Sequence, residues 1–220
     1  MIKAVLFDMD GLMFDTESLS TKGFIESAKK QGYDMTVAET HLVLGFKRED
    51  IFDFYEEYFK NKKLNVDGRK LVADQYDYLE HVLLTTGPDK MPYLVELLDY
   101  LKNNKYKIAV ASSSDIFHIK NNLEKNNLLN YIDTIASGEE VSNGKPAPDI
   151  FLLAASRLDV TPDECLVLED SIFGMEAAHR AGMKSIMIPD SVQPDEKTKK
   201  TATAVLKNLG DVITFLKENN

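Results

Sequence analysis

Four short clusters hold the side chains that could do chemistry: Asp8-Met9-Asp10-Gly11, Ser112-Ser113-Ser114, Lys145 within Gly144-Lys145-Pro146, and Glu169-Asp170-Ser171. Carboxylates gathered in one place repel one another and need a cation, and ligands that are all oxygen favour magnesium. Magnesium and Lys145 would neutralise a substrate phosphate and the charge that develops as it is transferred. Ser112 and the backbone N–H of Ser113, at the start of a helix, would add hydrogen bonds to that phosphate. Of two aspartates two residues apart, one can attack phosphorus and form an aspartyl-phosphate while the other acts as general acid and base.

Taken singly, each cluster also has a plain explanation. Asp and Gly favour turns, and serines or aspartates before a helix cap it. What joins the clusters is the elements that precede them. Short, uniformly apolar runs occur at Ala4–Phe7, Ile108–Ala111, Ile132–Ala136, Leu166–Leu168 and Ile186–Ile188. They are too brief for helices and too apolar for half-exposed strands, so they read as buried parallel strands. Helical spacing lies between them. Leu94, Leu97, Leu98 and Leu101 share one face, as do Ile116, Ile119 and Leu123, and Phe151, Ala154, Ala155 and Leu158 follow Pro148 and Asp149. Asp211 reads as the cap of a last helix, and Lys197–Lys200 as an exposed loop. The alternation predicts an α/β fold, a Rossmann-like parallel sheet covered by helices, whose ligands bind beyond the carboxyl ends of the strands. Three of the five runs deliver polar side chains to that edge: Asp8 follows the first run, Ser112 the second and Glu169 the fourth.

One stretch breaks the alternation. From Glu17 to Leu84 only helical pattern is present, with Ile51, Phe54, Tyr55, Tyr58 and Phe59 on one stripe and Val72, Leu79 and Leu83 on another. The aromatic stripe reads as internal packing. Thr85-Thr86-Gly87-Pro88 reads as a linker. The expected organisation is therefore a core of residues 1–16 and 85–220 with a helical insertion at 17–84.

Composition narrows the function classes. The chain of 220 residues is 44% hydrophobic and carries a formal net charge of −10, which argues against a nucleic-acid partner. No apolar run approaches the roughly 20 residues of a membrane span, and carboxylates at Asp8 and Asp10 interrupt any signal-peptide pattern, so the expectation is a cytoplasmic protein with no membrane partner. A monomer or weak dimer is the default expectation. Cys165, the only cysteine, excludes an internal disulfide or a thiolate zinc cluster and reads as a buried structural thiol. His41, His81, His118 and His179 lack ligand spacing.

In order and spacing, Asp8-Met9-Asp10-Gly11, Ser112, Lys145 and Glu169-Asp170 resemble the haloacid dehalogenase superfamily over nearly the whole chain. Phe14-Asp15-Thr16-Glu17, Lys145-Pro146-Ala147-Pro148-Asp149 and Asp170-Ser171-x-x-Gly174 are similar to its branch with a helical cap between the first two motifs, which holds sugar-phosphate and nucleotide phosphatases and β-phosphoglucomutase. The resemblance implies that Asp8 is the nucleophile and a magnesium ligand. It implies that Asp10 is the general acid/base, with its main-chain carbonyl also on the metal. Asp170 would be the remaining protein ligand, with Glu169 supporting the metal shell, and Ser112, Ser113 and Lys145 would hold the phosphate. The cap would choose the leaving group through Gly45, Lys47, Arg48 and Glu17.

The resemblance thus points to a magnesium-dependent phosphatase of a small phosphorylated metabolite. A phosphosugar mutase is the alternative within enzymes. β-Phosphoglucomutases usually place a histidine where Ser20 falls and a cap lysine near Asp74, so these two positions favour hydrolysis, although Arg48 matches. A non-catalytic phosphate-binding or receiver-like domain is the alternative of another class. Such domains run to about 120 residues without a helical insertion, and Asp10 beside the nucleophile favours turnover over storage.

Overall fold

The computed structural model describes residues 1–46 and 48–219. Among these, six strands form one parallel sheet in the order β3-β2-β1-β4-β5-β6. They are β1 (Ala4–Phe7), β2 (Lys107–Ser112), β3 (Thr134–Ser137), β4 (Cys165–Glu169), β5 (Lys184–Met187) and β6 (Ala204–Val205). This is the expected Rossmann-like α/β arrangement, with β1 flanked by β2 and β4.

The period-two geometry of β1 divides the core between two faces. Val5 and Phe7 pack in a layer with the leucines of α5 (Leu94–Asn103), with Ile119 and Leu123 of α6 (Ile116–Lys125) and with Val212 and Leu216 of α10 (Leu209–Asn219). Ala4 and Leu6 pack in the opposite layer, against Ile150, Phe151, Ala154 and Ala155 of α7 (Asp149–Arg157) and Ala177 and Ala178 of α8 (Ile172–Arg180). Each fully buried large apolar side chain contributes about 1.5–3 kcal/mol to burying these layers. Cys165 is buried in β4, and burial pushes its thiol up to about 11.

Four details depart from the sequence expectation. The third strand starts at Thr134: the Asp133 N–H still donates to the Ile108 carbonyl at 2.8 Å, but the Ile108 N–H is taken at 2.7 Å by the Asp133 carboxylate and not by a backbone carbonyl. β6, only two residues long, is too short for periodicity to reveal. The lysine-rich run at 197–200 is helical, within α9 (Glu196–Thr201), because Asp195 accepts the Thr198 N–H at 2.7 Å as an N-cap. The last helix starts at Leu209, ahead of Asp211, and Asn208 accepts the Asp211 N–H at 3.2 Å.

The chain divides into two compact units, Met1–Asp15 with Asp89–Asn220, and Thr16–Pro88. Within the first, the two points where the chain leaves and returns are clipped together. The Asp15 N–H donates to the Asp89 carbonyl and the Met91 N–H to the Met13 carbonyl, each at 2.9 Å, around an antiparallel bridge between Phe14 and Lys90.

The second unit consists of helices α1 (Thr16–Lys30), α2 (Val37–Thr40), α3 (Arg48–Asn61) and α4 (Gly68–Thr85). The Thr86 and Gly87 N–H groups bond back to the Val82 carbonyl, so the chain stays with this unit beyond Thr85. Its core gathers Phe24, Ala28, Tyr55, Phe59, Leu71 and Val72. The aromatic stripe is packing, as expected: Tyr55 and Phe59 are fully buried, and the Tyr55 hydroxyl donates to the Glu39 carbonyl at 2.9 Å. No helix of the described residues is long and apolar enough to cross a membrane.

Candidate active site

Asp8 follows the last residue of β1, and its N–H continues the ladder by donating to the Leu168 carbonyl at 3.0 Å. The chain then turns tightly, with the Met13 and Phe14 N–H groups both bonded to the Met9 carbonyl and the Gly11 N–H to Phe14. Gly11 has φ +83°, and a Cβ there would lie 2.4 Å from Asp170 Oδ2. The turn therefore needs glycine twice over, for its backbone conformation and for the carboxylate against it.

At the end of β4, Glu169 and Asp170 bring their carboxylates to Asp8. One oxygen from each of the three lies within 4.8 Å of the others. Glu169 is fully buried and both its oxygens are engaged. Oε2 accepts from the Ser171 N–H and hydroxyl at 2.8 Å each, and Oε1 from Lys145 Nζ at 2.6 Å. Ser171 also caps α8, accepting the Gly174 N–H at 3.0 Å. Gly174 makes room for this packing, since a Cβ there would overlap Glu169 Oε1 at 1.7 Å.

Lys145 reaches the same place from the loop before α7. Its ammonium donates to Asp8 Oδ1, to Glu169 Oε1 and to the Ala111 carbonyl, so two carboxylates share one buried cation. Burial alone would lower its pKa, but the charges of Asp8 and Glu169 hold it raised. Asp8 is raised above the ordinary aspartate range by burial, with Lys145 opposing and Glu169 and Asp10 adding to the rise. Asp170 is raised as well, by burial first and then by the charges of Asp8 and Glu169. One ammonium does not balance three carboxylates. The excess negative charge and the all-oxygen donor set fit a hard divalent cation such as magnesium.

Asp10 stands apart from that cluster. Its Oδ2 accepts the Ser114 hydroxyl at 2.9 Å, with Ser112 Oγ at 3.5 Å. Burial raises its pKa, and the Ser114 hydrogen bond, then the Lys145 charge, oppose the rise. Ser112 is buried at the end of β2 and accepts the Ser114 N–H at 3.1 Å.

Two expectations about this loop change. Asp115, rather than a serine, caps α6, accepting the His118 N–H at 2.9 Å, and so leaves the serine hydroxyls for other partners. Ser113 therefore precedes the cap instead of starting the helix, and it is exposed. Ser114 and Ser137 are the residues that sequence reasoning missed. Ser137, buried at the end of β3, donates to the Ser114 carbonyl at 2.8 Å and so pins the loop. Its own signal was legible as a capping box, Ser137-Gly138-Glu139-Glu140, in which the Glu140 carboxylate accepts the Ser137 N–H at 2.9 Å.

The helical unit holds its own cavity of about 160 Å³, whose lining includes Glu17, Ser20, Thr40, His41, Gly45 and Phe46. Glu17 and Gly45 thus share a cavity. Arg48 is not part of its lining; its guanidinium stacks over the Tyr76 ring, 4.2 Å from the centroid. Lys47 lies outside the described residues. Ser20 accepts from Gln75 Nε2 at 3.1 Å, and Asp74 pairs with Lys70 at 3.1 Å.

With this geometry in place, similarity to known proteins is informative. A family model described as haloacid dehalogenase-like hydrolase matches residues 5–188. A Drosophila melanogaster protein named "Probable pseudouridine-5'-phosphatase" is 37% identical over 94% of this chain and 89% of its own length. The phosphorylated carbohydrates phosphatase of Thermotoga maritima is 29% identical over 99% of both chains. The crystal structure of β-phosphoglucomutase from Clostridium difficile superposes with a TM-score of 0.70 at 27% identity, covering 99% of this chain and 96% of that one.

Proposed function

The chain belongs to the haloacid dehalogenase-like hydrolases, and from that premise we propose that it is a magnesium-dependent phosphatase hydrolysing a small phosphorylated metabolite through an aspartyl-phosphate on Asp8. As a phosphohydrolase it is an enzyme, which sets aside the receiver-like alternative. The observation that carries the proposal is the meeting of Asp8, Glu169 and Asp170, the first two sharing one buried ammonium, Lys145, at the carboxyl end of the central strand.

In this reading an Asp8 carboxylate oxygen attacks phosphorus as the bond to the leaving oxygen breaks. Asp10 gives its proton to that oxygen. Asp10, now a carboxylate, takes a proton from water, which attacks the aspartyl-phosphate and regenerates Asp8. Lys145 and Ser112 hold the phosphate oxygens, and the Ser113 backbone N–H is a further donor to them. Asp8 and Asp170, with the Asp10 carbonyl, would hold magnesium, and Glu169 would support that shell through Lys145 and Ser171. Bound there, the ion supplies charge neutralisation for the phosphate.

The helical unit is assigned the role of cap, with Glu17, Gly45, Lys47 and Arg48 as substrate contacts. The relatives are named for phosphorylated carbohydrates and for pseudouridine 5′-phosphate, which supports a sugar phosphate or nucleotide as substrate here. Hydrolysis is preferred to mutase chemistry because Ser20 and Asp74, the departures from the β-phosphoglucomutase pattern, are bound to Gln75 and Lys70 within their own unit.

The test is phosphate release from a panel of sugar phosphates and nucleotides, with magnesium and with chelator. Magnesium-dependent release supports the assignment. Isomerisation of a sugar phosphate that needs a bisphosphate primer, without phosphate release, would replace it with the mutase reading.

A further inference from the structure

We propose that Ser114 is a positioning residue for Asp10: it holds the proton-donating carboxylate in line with the phosphate-binding hydroxyl of Ser112. The proposal rests on the phosphatase reading above and adds a residue which that reading does not require.

The geometry is specific. Ser114 is bonded through all three of its polar groups, each to a different segment. Its hydroxyl donates to Asp10 Oδ2 at 2.9 Å, its N–H donates to Ser112 Oγ at 3.1 Å, and its carbonyl accepts from Ser137 Oγ at 2.8 Å. Ser137 is in turn held by the Glu140 carboxylate at 2.9 Å, and Arg157 Nη2 fixes Glu140 at 2.7 Å. The Ser114 main chain is thus anchored at β2 and β3, while its side chain reaches across to the loop after β1. A helix-capping serine would have spent its hydroxyl on the helix. Here Asp115 does the capping, so the Ser114 hydroxyl is available to the carboxylate.

The chemical consequence is selective. Asp10 matters in the first step because the P–O bond to the leaving group breaks while Asp8 forms its own P–O bond, and the departing oxygen takes the Asp10 proton. An alkoxide leaving group, as from a sugar phosphate, needs that proton. A p-nitrophenolate leaving group is stable without it. A residue that orients Asp10 should therefore matter far more for the first ester than for the second, whereas general disorder at the site would depress both alike.

The experiment compares wild type, Ser114→Ala, Ser114→Thr and Asp10→Asn, each with magnesium, on a hexose phosphate and on p-nitrophenyl phosphate. General acid catalysis contributes about 10²–10⁴-fold, so misaiming the acid should lower kcat/KM, which reads the first step and not the later attack of water, on the hexose phosphate by about 10–100-fold. On p-nitrophenyl phosphate the loss should be only a few-fold. Ser114→Thr, which keeps the hydroxyl, should recover most of the hexose phosphate activity. In the Asp10→Asn background Ser114→Ala should cost nothing further, because there is no acid left to aim. Equal losses on both esters, no loss on either, or a full additional loss in the Asp10→Asn background would overturn the proposal. Wild-type protein inactive on both esters would instead overturn the phosphatase reading, and the proposal with it.

Discussion

Asp8 and Lys145 stand 137 positions apart in the chain, yet the ammonium of one donates directly to the carboxylate of the other at the end of β1. The contact joins the first strand to a loop of the second half of the fold, and it fixes what the site can do before a substrate arrives. The Asp8 carboxylate is aimed, partly neutralised and almost closed off from bulk water.

Replacing that carboxylate should separate chemistry from folding. Asp8→Asn is expected to lower phosphate release by a factor on the order of 10⁴ or more, as for other nucleophile deletions. Circular dichroism and the unfolding transition should remain those of a folded protein. Retention of substantial turnover would place the nucleophile elsewhere.

Removing the cation should act on stability as well as rate. Lys145→Met leaves Asp8 and Glu169 buried without their shared donor, and breaking a buried pair from one side costs about 3–5 kcal/mol. Without the ammonium, which opposes the rise at Asp8, the folded protein favours the protonated Asp8 carboxyl still more. The loss should therefore shrink on acidification, as urea titrations at acidic and neutral pH would show. A variant as stable as wild type at neutral pH would mean that the three-way contact is not maintained in solution.

The raised carboxyls of Asp8 and Asp170 give metal-free protein a definite pH dependence. A group whose pKa is higher folded than unfolded contributes stability that is fully present below the unfolded value and is lost as pH rises through the folded one. For aspartates that window opens at about pH 4 and extends upward from there. Magnesium needs deprotonated ligands, so its stabilising effect should grow over the same window. Melting temperatures with chelator and with magnesium should therefore differ more at about pH 8 than at about pH 5. A gap that narrows toward pH 8 would argue against these aspartates as the ligands.

Gly174 offers a test in which the usual sign reverses. In an ordinary helix interior, alanine is better than glycine by about 1 kcal/mol. Here the added methyl would meet the Glu169 carboxylate at 1.7 Å. Gly174→Ala is expected to destabilise by about 1–3 kcal/mol, as overpacking does, and to weaken magnesium binding through the displaced Glu169. Calorimetry of unfolding and of magnesium binding would read both. A stabilised variant would show that Glu169 has another resting place.

Much of this was readable from residue types and order alone. The run Ala4–Phe7 is the strand it predicted, residue for residue, because a central strand buried on both faces leaves little choice but continuous apolar sequence. The leucines of α5 announced their face by spacing. What stayed hidden was local and polar. Nothing in Ser112-Ser113-Ser114 says which serine meets the substrate side and which meets Asp10, since that depends on how Asp115 takes over the cap and where Ser137 anchors the loop. Asp133 cut the third strand short for a similar reason, by offering its side chain where the ladder needed a backbone partner. Lys145 could be listed among site residues, but its three acceptors come from three different strand ends, and only the folded chain shows them together.

The clip formed by Met13–Asp15 and Asp89–Met91 has a meaning beyond the stability of the sheet. Because the backbone entering the helical unit is hydrogen-bonded to the backbone leaving it, the insertion begins and ends at nearly one point on the core. A short turn could close that point without moving the strand that bears Asp8, and so could an insertion of another size or shape. Descendants of such a chain are free to trade one insertion for another, while the strand ends that bring Asp8 and Glu169 to Lys145 are inherited intact.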